Sequence, residues 1–255
     1  MPKSKEIKLS IIIVNYRSEH YLDKCLASIY SKSDSKYFEV IIVNNDQETE
    51  LKTIEQKYIH AKIYNLKKNI GFGRACNYGA EKSTGSIFFF LNPDTQFLNN
   101  FVEYILEKFS KSEEKIGIIG PRLLTDNGET QIWCTGKDLT VGQRIKNHFW
   151  IIESKEIWES KEELIVDWVS GAALAIKNEV FKKIYGFDEK FFMYGEDLDL
   201  CARARDLGYK ILYCPKISVL HSGGKSRKSF FRQKIQFFKS SLYYIKKRRQ
   251  LNLNK

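Results

Sequence analysis

The run Leu9-Ser10-Ile11-Ile12-Ile13-Val14, closed by Asn15-Tyr16, decides the fold of this chain. Its β-branched residues follow one another without the apolar–polar alternation of a strand that has one wet face. That pattern predicts a strand buried on both faces, which needs helices above and below it. The next segment supplies one, with Leu22, Cys25, Leu26 and Ile29 at helical spacing. Val40-Ile41-Ile42-Val43 is a second buried strand and stops at the polar cluster Asn44-Asn45-Asp46. Residues 48–58 read as helix, 61–66 as strand, 74–82 as helix and 87–91 as a fourth strand, broken by Asn92-Pro93-Asp94. Strands alternating with helices over short connections predict an α/β fold with a doubly wound, mainly parallel sheet, whose ligands bind at the carboxyl ends of the strands.

Beyond Ile116–Pro121 the pattern loosens. Residues 126–165 are mixed and polar, contain Trp133, Trp150 and Trp158, and show no period. Regular structure returns at 166–173, with a short helix from Asn178, a helix over 196–207 closed by Gly208, and a strand over 210–213. No repeat or low-complexity linker appears, so residues 1–221 read as one domain and 222–255 as an appended tail.

The chain has 255 residues, ample for a large core, and a net charge of +11. All of that excess is in the tail, where residues 222–255 carry eleven Lys or Arg and no acid. The neutral body argues against nucleic acid as a partner. Five scattered cysteines without a C-x-x-C pair read as reduced thiols in a cytoplasmic protein, not as disulfides or a zinc site. The apolar run after the basic N-terminus is too short for a signal peptide core or a membrane span.

Phe187-Asp188-Glu189-Lys190-Phe191-Phe192-Met193-Tyr194-Gly195-Glu196-Asp197-Leu198-Asp199-Leu200 sets Asp188, Glu196, Asp197 and Asp199 among aromatics. Carboxylates so placed suggest a partly buried site, where a raised pKa or a bound cation gives useful chemistry. They equally suit the acidic first turn of a helix. In Asn69-Ile70-Gly71-Phe72-Gly73-Arg74-Ala75-Cys76-Asn77-Tyr78-Gly79 the third glycine of a dinucleotide fingerprint is Cys76, and the loop follows the third strand, so a nicotinamide site is excluded. Gly224-Lys225-Ser226 fails as a P-loop, because Val219 stands at its first glycine. Pro93 aims Asp94 out of the sheet's carboxyl end, where one or two carboxylates suffice for a hard divalent cation on a diphosphate. Asp94 or Thr95 also suits a helix N-cap. His221 follows a strand and reads either as structural or as completing a cation's shell beside an Asp.

Together these segments resemble glycosyltransferase family 2, the inverting GT-A type, and in particular its rhamnosyltransferase-like branch of bacterial surface-polysaccharide (O-antigen or capsule) synthesis. The likeness runs over 9–226 through Ile13-Val14-Asn15-Tyr16, Val43-Asn44-Asn45, the Asn69–Gly79 segment, Leu91-Asn92-Pro93-Asp94-Thr95, Gly120-Pro121-Arg122, Gly171-Ala172, the Gly186–Leu200 stretch and His221-x-Gly223-Gly224-x-Ser226. The resemblance implies a GT-A fold and transfer of one sugar from a dTDP- or UDP-sugar to a saccharide acceptor, lipid-linked in this branch. It places Asn15, Tyr16, Asn44, Asn45, Asp46, Asn69, Gly71, Asn77 and Asn92 at the nucleotide. Asp94 and His221 would hold Mn²⁺ or Mg²⁺ on the diphosphate. Asp197 would be the catalytic base, with Glu196 as the alternative base. Asn44 departs from the family's usual Asp, and Asn92 replaces the first acid of its D-x-D, leaving Asp94 the main carboxylate. The rival reading is a non-catalytic sugar-nucleotide-binding module.

In the tail, Phe231, Ile235, Phe238, Leu242 and Ile245 recur at 4, 3, 4, 3 spacing, predicting an amphipathic C-terminal helix with basic flanks. One reading docks it on the anionic inner face of the plasma membrane, as in a peripheral protein. The other packs its apolar face on the enzyme's own core or on a second subunit, as in a homodimer.

Overall fold

The computed structural model describes residues 8–112, 114–137, 155–223 and 230–253. Trp150, Gly224 and Ser226 lie outside the described residues, as do residues 138–154 of the unassigned middle segment.

The opening run forms β1 (Leu9–Asn15), and all seven of its residues are buried. Its alternating side chains feed two cores. Leu9, Ile11 and Ile13 pack with Leu22, Cys25, Leu26 and Ile29 of α1 (Glu19–Lys32). Ile12 and Val14 pack on the other side with Ala75 and Cys76 of α3 (Phe72–Glu81). α3 lies so close that a Cβ on Gly79 would come 2.5 Å from Ile12 Cγ2. β2 (Phe38–Asn44) and β4 (Ile87–Leu91) flank β1 in parallel, and β3 (Ala61–Asn65) pairs in parallel with β2. This half is the predicted doubly wound sheet. α2 (Lys52–Lys57) starts later than the expected residue 48, because the preceding turn folds onto Asp46, which accepts from the Glu48 N–H and the Thr49 hydroxyl.

With β5 (Thr95–Phe97), β6 (Ile116–Leu124), β8 (Leu164–Val166), β10 (Ala173–Lys177) and β11 (Lys210–His221), the sheet continues in the order β3-β2-β1-β4-β10-β6-β11-β5, with β8 also on β11. β10 (Ala173–Lys177) enters antiparallel between β4 and β6 (Ile116–Leu124), making this half mixed. β11 runs parallel to β6 from Lys210 to His221, well past the predicted end at Tyr213. Its register shifts between Cys214 and Ser218, which accommodates Pro215, a residue with no N–H for the ladder. Unanticipated are α4 (Val102–Lys111) and β5 (Thr95–Phe97), which pairs antiparallel with β11. Thr95 therefore opens a strand, and the helix-cap reading of Asp94 and Thr95 is corrected. β7 (Thr135–Gly136) and β9 (Trp168–Val169) make a small second sheet, and α5 (Lys155–Glu159), β8 (Leu164–Val166) and α6 (Asn178–Lys183) complete the body. α7 (Glu196–Asp206) packs against the second core, and α8 (Phe230–Leu253) forms the tail.

Candidate active site

β1, β2 and β3 end in register at Asn15, Asn44 and Asn65. Asn15 Nδ2 donates to Asn44 Oδ1 at 3.0 Å, and Asn44 Nδ2 donates to Asn65 Oδ1 at 2.9 Å and to the Thr49 carbonyl at 2.8 Å. The Asn44 amide is thus engaged inside the protein, whereas Asn15 Oδ1 is buried with no hydrogen-bond partner. Asn45 fastens the glycine loop, donating to Asn69 Oδ1 at 3.1 Å and accepting from the Ile70 N–H at 2.9 Å. Gly71 (φ 91°) lets that loop approach Phe192, whose carbonyl accepts from the Phe72 N–H at 3.0 Å. Asn77, expected at the nucleotide, has a different task. Its Oδ1 accepts from the Phe187 N–H and its Nδ2 donates to the Phe187 carbonyl, both at 2.9 Å, pinning the acidic stretch to α3. Arg17 was missed from the sequence. Its Nε lies 3.1 Å from Asp46 Oδ2 and its guanidinium 5.4 Å from the Tyr16 ring, so it walls the carboxyl end of β1. Burial pushes the Asp46 carboxyl up, but Thr49, the Glu48 N–H and Arg17 outweigh it and hold the pKa below its usual value.

The antiparallel pairing of β5 with β11 sets His221 opposite Thr95, and so brings the imidazole to Asp94. His221 Nε2 is 3.4 Å from Asp94 Oδ1 and 3.5 Å from Asn92 Nδ2. The other ring nitrogen, Nδ1, lies 2.7 Å from Gln131 Oε1. An imidazole beside a carboxylate, with its far nitrogen anchored by a side chain, is a fitting donor set for a divalent cation. Among the described residues no group of three or more His, Cys, Asp or Glu could hold a metal ion, so diphosphate oxygens and water would fill most of such a cation's shell. Gln131 was also missed from the sequence, for its segment has no period to place it.

The acidic side of the site is built at the start of α7, after Gly195 (φ 81°). Asp197 Oδ2 accepts from the Gly171 N–H at 2.9 Å, and its Oδ1 from the Leu198 N–H at 2.8 Å. Asp197 stays partly exposed, whereas Glu196 is buried and its Oε2 has no partner. Burial, with the charge of Asp197 beside it, pushes Glu196 up to about 8. Burial also raises Asp197, opposed by the N–H groups of Gly171 and Leu198. Both carboxyls are pushed up by burial, and the charge of Asp197 acts on Glu196 in addition, so Glu196 keeps its proton at neutral pH. The two halves of the site meet through Ser170-Gly171-Ala172. Gly171 donates to Asp197, the Ala172 carbonyl accepts from the Asn92 N–H at 2.9 Å, and Ser170 donates to the Cys134 carbonyl at 2.8 Å.

Asp199, fully buried, pairs with Arg203 at 2.7 Å and stands with Glu196 and Asp197 in the acidic first turn of α7. The five cysteines are all buried and unpaired, as expected.

A large α/β sheet with these polar carboxyl ends is the GT-A architecture. GalNAc-T7 solved with UDP, GalNAc and Mn²⁺ superposes with a TM-score of 0.65 at 18% identity, covering 86% of this chain and 44% of that one. The glycosyl transferase family 2 model matches residues 10–183, and the chain belongs to that family. A second model, the N-terminal domain of galactosyltransferase, matches 156–222. Rhamnosyltransferase WbbL of Escherichia coli (strain K12) is 26% identical, over 95% of this chain and 94% of its own. The N-acetylglucosaminyl-diphospho-decaprenol L-rhamnosyltransferase of Mycobacterium tuberculosis (strain CDC 1551 / Oshkosh) is 23% identical, over 84% and 75%.

Proposed function

We propose that this glycosyltransferase is metal-dependent and inverting, and that it moves one sugar from a nucleoside-diphosphate donor to a lipid-linked saccharide in surface-polysaccharide assembly. The carrying observation is the Ser170–Ala172 segment, which ties a partly exposed carboxylate at Asp197 to the turn bearing Asp94, beside which His221 of β11 stands. Inversion by single displacement needs those two functions on one site. Asp197 takes the proton of the acceptor hydroxyl as its oxygen bonds to the anomeric carbon, and the bond from that carbon to the diphosphate oxygen breaks. Asp94 and His221 would hold Mn²⁺ or Mg²⁺, which neutralises charge on the departing diphosphate. Asn15 Oδ1, the Tyr16–Arg17 pair and the Asp46 edge are the groups we assign to the nucleoside. Glu196, neutral and enclosed, supports Asp197 and is not the base.

The names of the two relatives make rhamnose, carried on a nucleoside diphosphate, the first donor sugar to test and an N-acetylglucosaminyl-diphospholipid the first acceptor. The catalytic reading fits the intact site and the family better than a non-catalytic module. Turnover is measured over a panel of donors with Mn²⁺ or Mg²⁺; no turnover of any donor returns the chain to the module reading. Asp197→Asn lowers transfer by about 10²–10⁴-fold while nucleotide binding persists. Retained transfer moves the base elsewhere.

We assign the outer face of α8 to the anionic inner membrane surface, where a lipid-linked acceptor lies. Ile235, Phe238 and Leu242 are exposed on that face, flanked by exposed Lys239, Lys246 and Arg249. An apolar stripe rimmed by cations has the chemistry of an anionic lipid surface. Among the described residues no helix is long and apolar enough to cross a membrane.

A further inference from the structure

The face of α8 opposite the apolar stripe is fastened to the acidic stretch. Ser240 Oγ donates to the Met193 carbonyl at 2.8 Å, and Tyr243 Oη donates to Asp188 Oδ2 at 2.9 Å. Lys247 Nζ lies 2.7 Å from Asp188 Oδ2 and 2.7 Å from Asp199 Oδ1, so one ammonium bridges two carboxylates. Tyr244 is buried with Phe191 and Ala202, and the Tyr243 ring meets Phe191 edge-on at 4.8 Å. Arg248 pairs with Asp206 at the far end of α7.

These partners flank the catalytic pair. Asp188 opens the loop that leads to Glu196, and Asp199 lies two residues beyond Asp197 on the first turn of α7. Between them Tyr194 (φ 68°) and Gly195 (φ 81°) both take left-handed backbone conformations, a turn that sets where α7 begins. A non-glycine residue holds such a conformation only where its surroundings enforce it. Ser240 grips the carbonyl one residue before this turn, and the Tyr194 ring meets Phe237 of α8 edge-on at 6.0 Å.

We propose that Lys247 is a positioning residue for Glu196 and Asp197, and that the inner face of α8 is a working part of the active site. Removing the ammonium leaves Asp188 without its ion-pair partner and Asp199, fully buried, with Arg203 alone. The loop and the helix then lose an ammonium that ion-pairs with both, and the turn between them is free to relax. Transfer depends on the aim of the Asp197 carboxylate, while the nucleoside groups on β1 and β2 are untouched. A displaced base lowers kcat and leaves donor binding alone. Only the activity part of this inference rests on the proposed function; the clasp itself does not.

The test compares Lys247→Met with Lys247→Arg in the full chain. One arm follows transfer to a water-soluble acceptor, and the other follows hydrogen–deuterium exchange over residues 187–200. Lys247→Met is expected to lower kcat about tenfold to a hundredfold with donor KM within about twofold. Exchange over 187–200 should quicken by about tenfold while β1 and β4 stay protected. Lys247→Arg should restore most of both. If Lys247→Met does not fold, Tyr243→Phe, which removes only the hydroxyl bond to Asp188, is read in the same way with smaller shifts. If no donor is turned over by the wild-type chain, the proposed function fails and the exchange arm decides alone. Unchanged kcat and exchange in Lys247→Met overturn the proposal, as does quickened exchange that Lys247→Arg leaves uncorrected.

Discussion

Glu196→Gln tests the division of labour within the acidic pair through stability rather than activity. The folded protein holds the Glu196 proton up to about 8, against an ordinary value of 4.5, because the carboxyl is buried beside Asp197. The unfolded chain releases that proton near the ordinary value. The folded state binds the proton more tightly, so this contribution to stability is complete below 4.5 and is lost as pH rises toward 8. At about 1.4 kcal/mol per pH unit, the wild-type chain loses about 3 kcal/mol by pH 7 and about 5 kcal/mol by pH 9. Glutamine has the same shape and cannot ionise, so the variant escapes this loss. Whatever constant offset the amide introduces, the stability difference between variant and wild type should widen in the variant's favour from pH 4 to pH 9. Urea unfolding followed by tryptophan fluorescence, repeated at steps of one pH unit, measures that difference. A difference that stays flat, or narrows on the alkaline side, refutes the buried neutral Glu196. The same variant should keep transfer activity at neutral pH, because Glu196 is already uncharged there and the proposed base is Asp197; loss of transfer would give the base role to Glu196.

Two further perturbations separate the remaining parts of the site. Gln131→Leu removes the side chain that anchors His221 Nδ1, and should weaken Mn²⁺ binding in the presence of nucleoside diphosphate by about 10–100-fold, read by titration of the paramagnetic ion; unchanged affinity would show that the ring needs no such support. Phe238→Asp with Leu242→Asp should reduce association with vesicles containing phosphatidylglycerol, the remainder being abolished by salt, while transfer to a water-soluble acceptor is kept. Unaltered vesicle association, or a dimer that the substitutions split, would assign the stripe to protein contact instead.

The parallel half of the sheet was legible because each of its strands carries its own signal. Leu9–Val14 and Val40–Val43 are apolar on both faces, and only a doubly covered sheet accommodates that. The mixed half was not legible, because its order depends on pairings between distant segments. Nothing in Thr95–Phe97 announces a strand; it becomes one by bonding to β11, and that pairing is what sets His221 beside Asp94. The two residues are 127 positions apart in the chain, and their union is a property of register, not of either motif. Gln131 was hidden for the same reason. In the tail the sequence supplied the apolar stripe but not its direction, since spacing identifies a face and leaves open what that face meets. The body is held instead by the polar and aromatic side, through Ser240, Tyr243, Tyr244 and Lys247.

The Phe187–Leu200 stretch shows why residue type alone could not assign the roles. Its four carboxylates would repel one another if they shared one environment, and the fold gives each a different one. Lys247, the Lys190 N–H and Tyr243 outweigh the effect of burial on Asp188 and hold its pKa below the usual value, so it stays charged as an anchor. Asp199 sits between Arg203 and Lys247 as the centre of an ion-paired cluster. Glu196 has no partner for Oε2 and meets burial by keeping its proton. Asp197 is left as the acid that is partly exposed and is held by backbone N–H groups, not by a cation. A carboxylate neutralised by Lys or Arg is a poor base, and one sealed from solvent cannot meet a substrate. Only Asp197 of the four escapes both conditions, while Lys247 reaches from the tail to pair with Asp188 and Asp199 on either side of it.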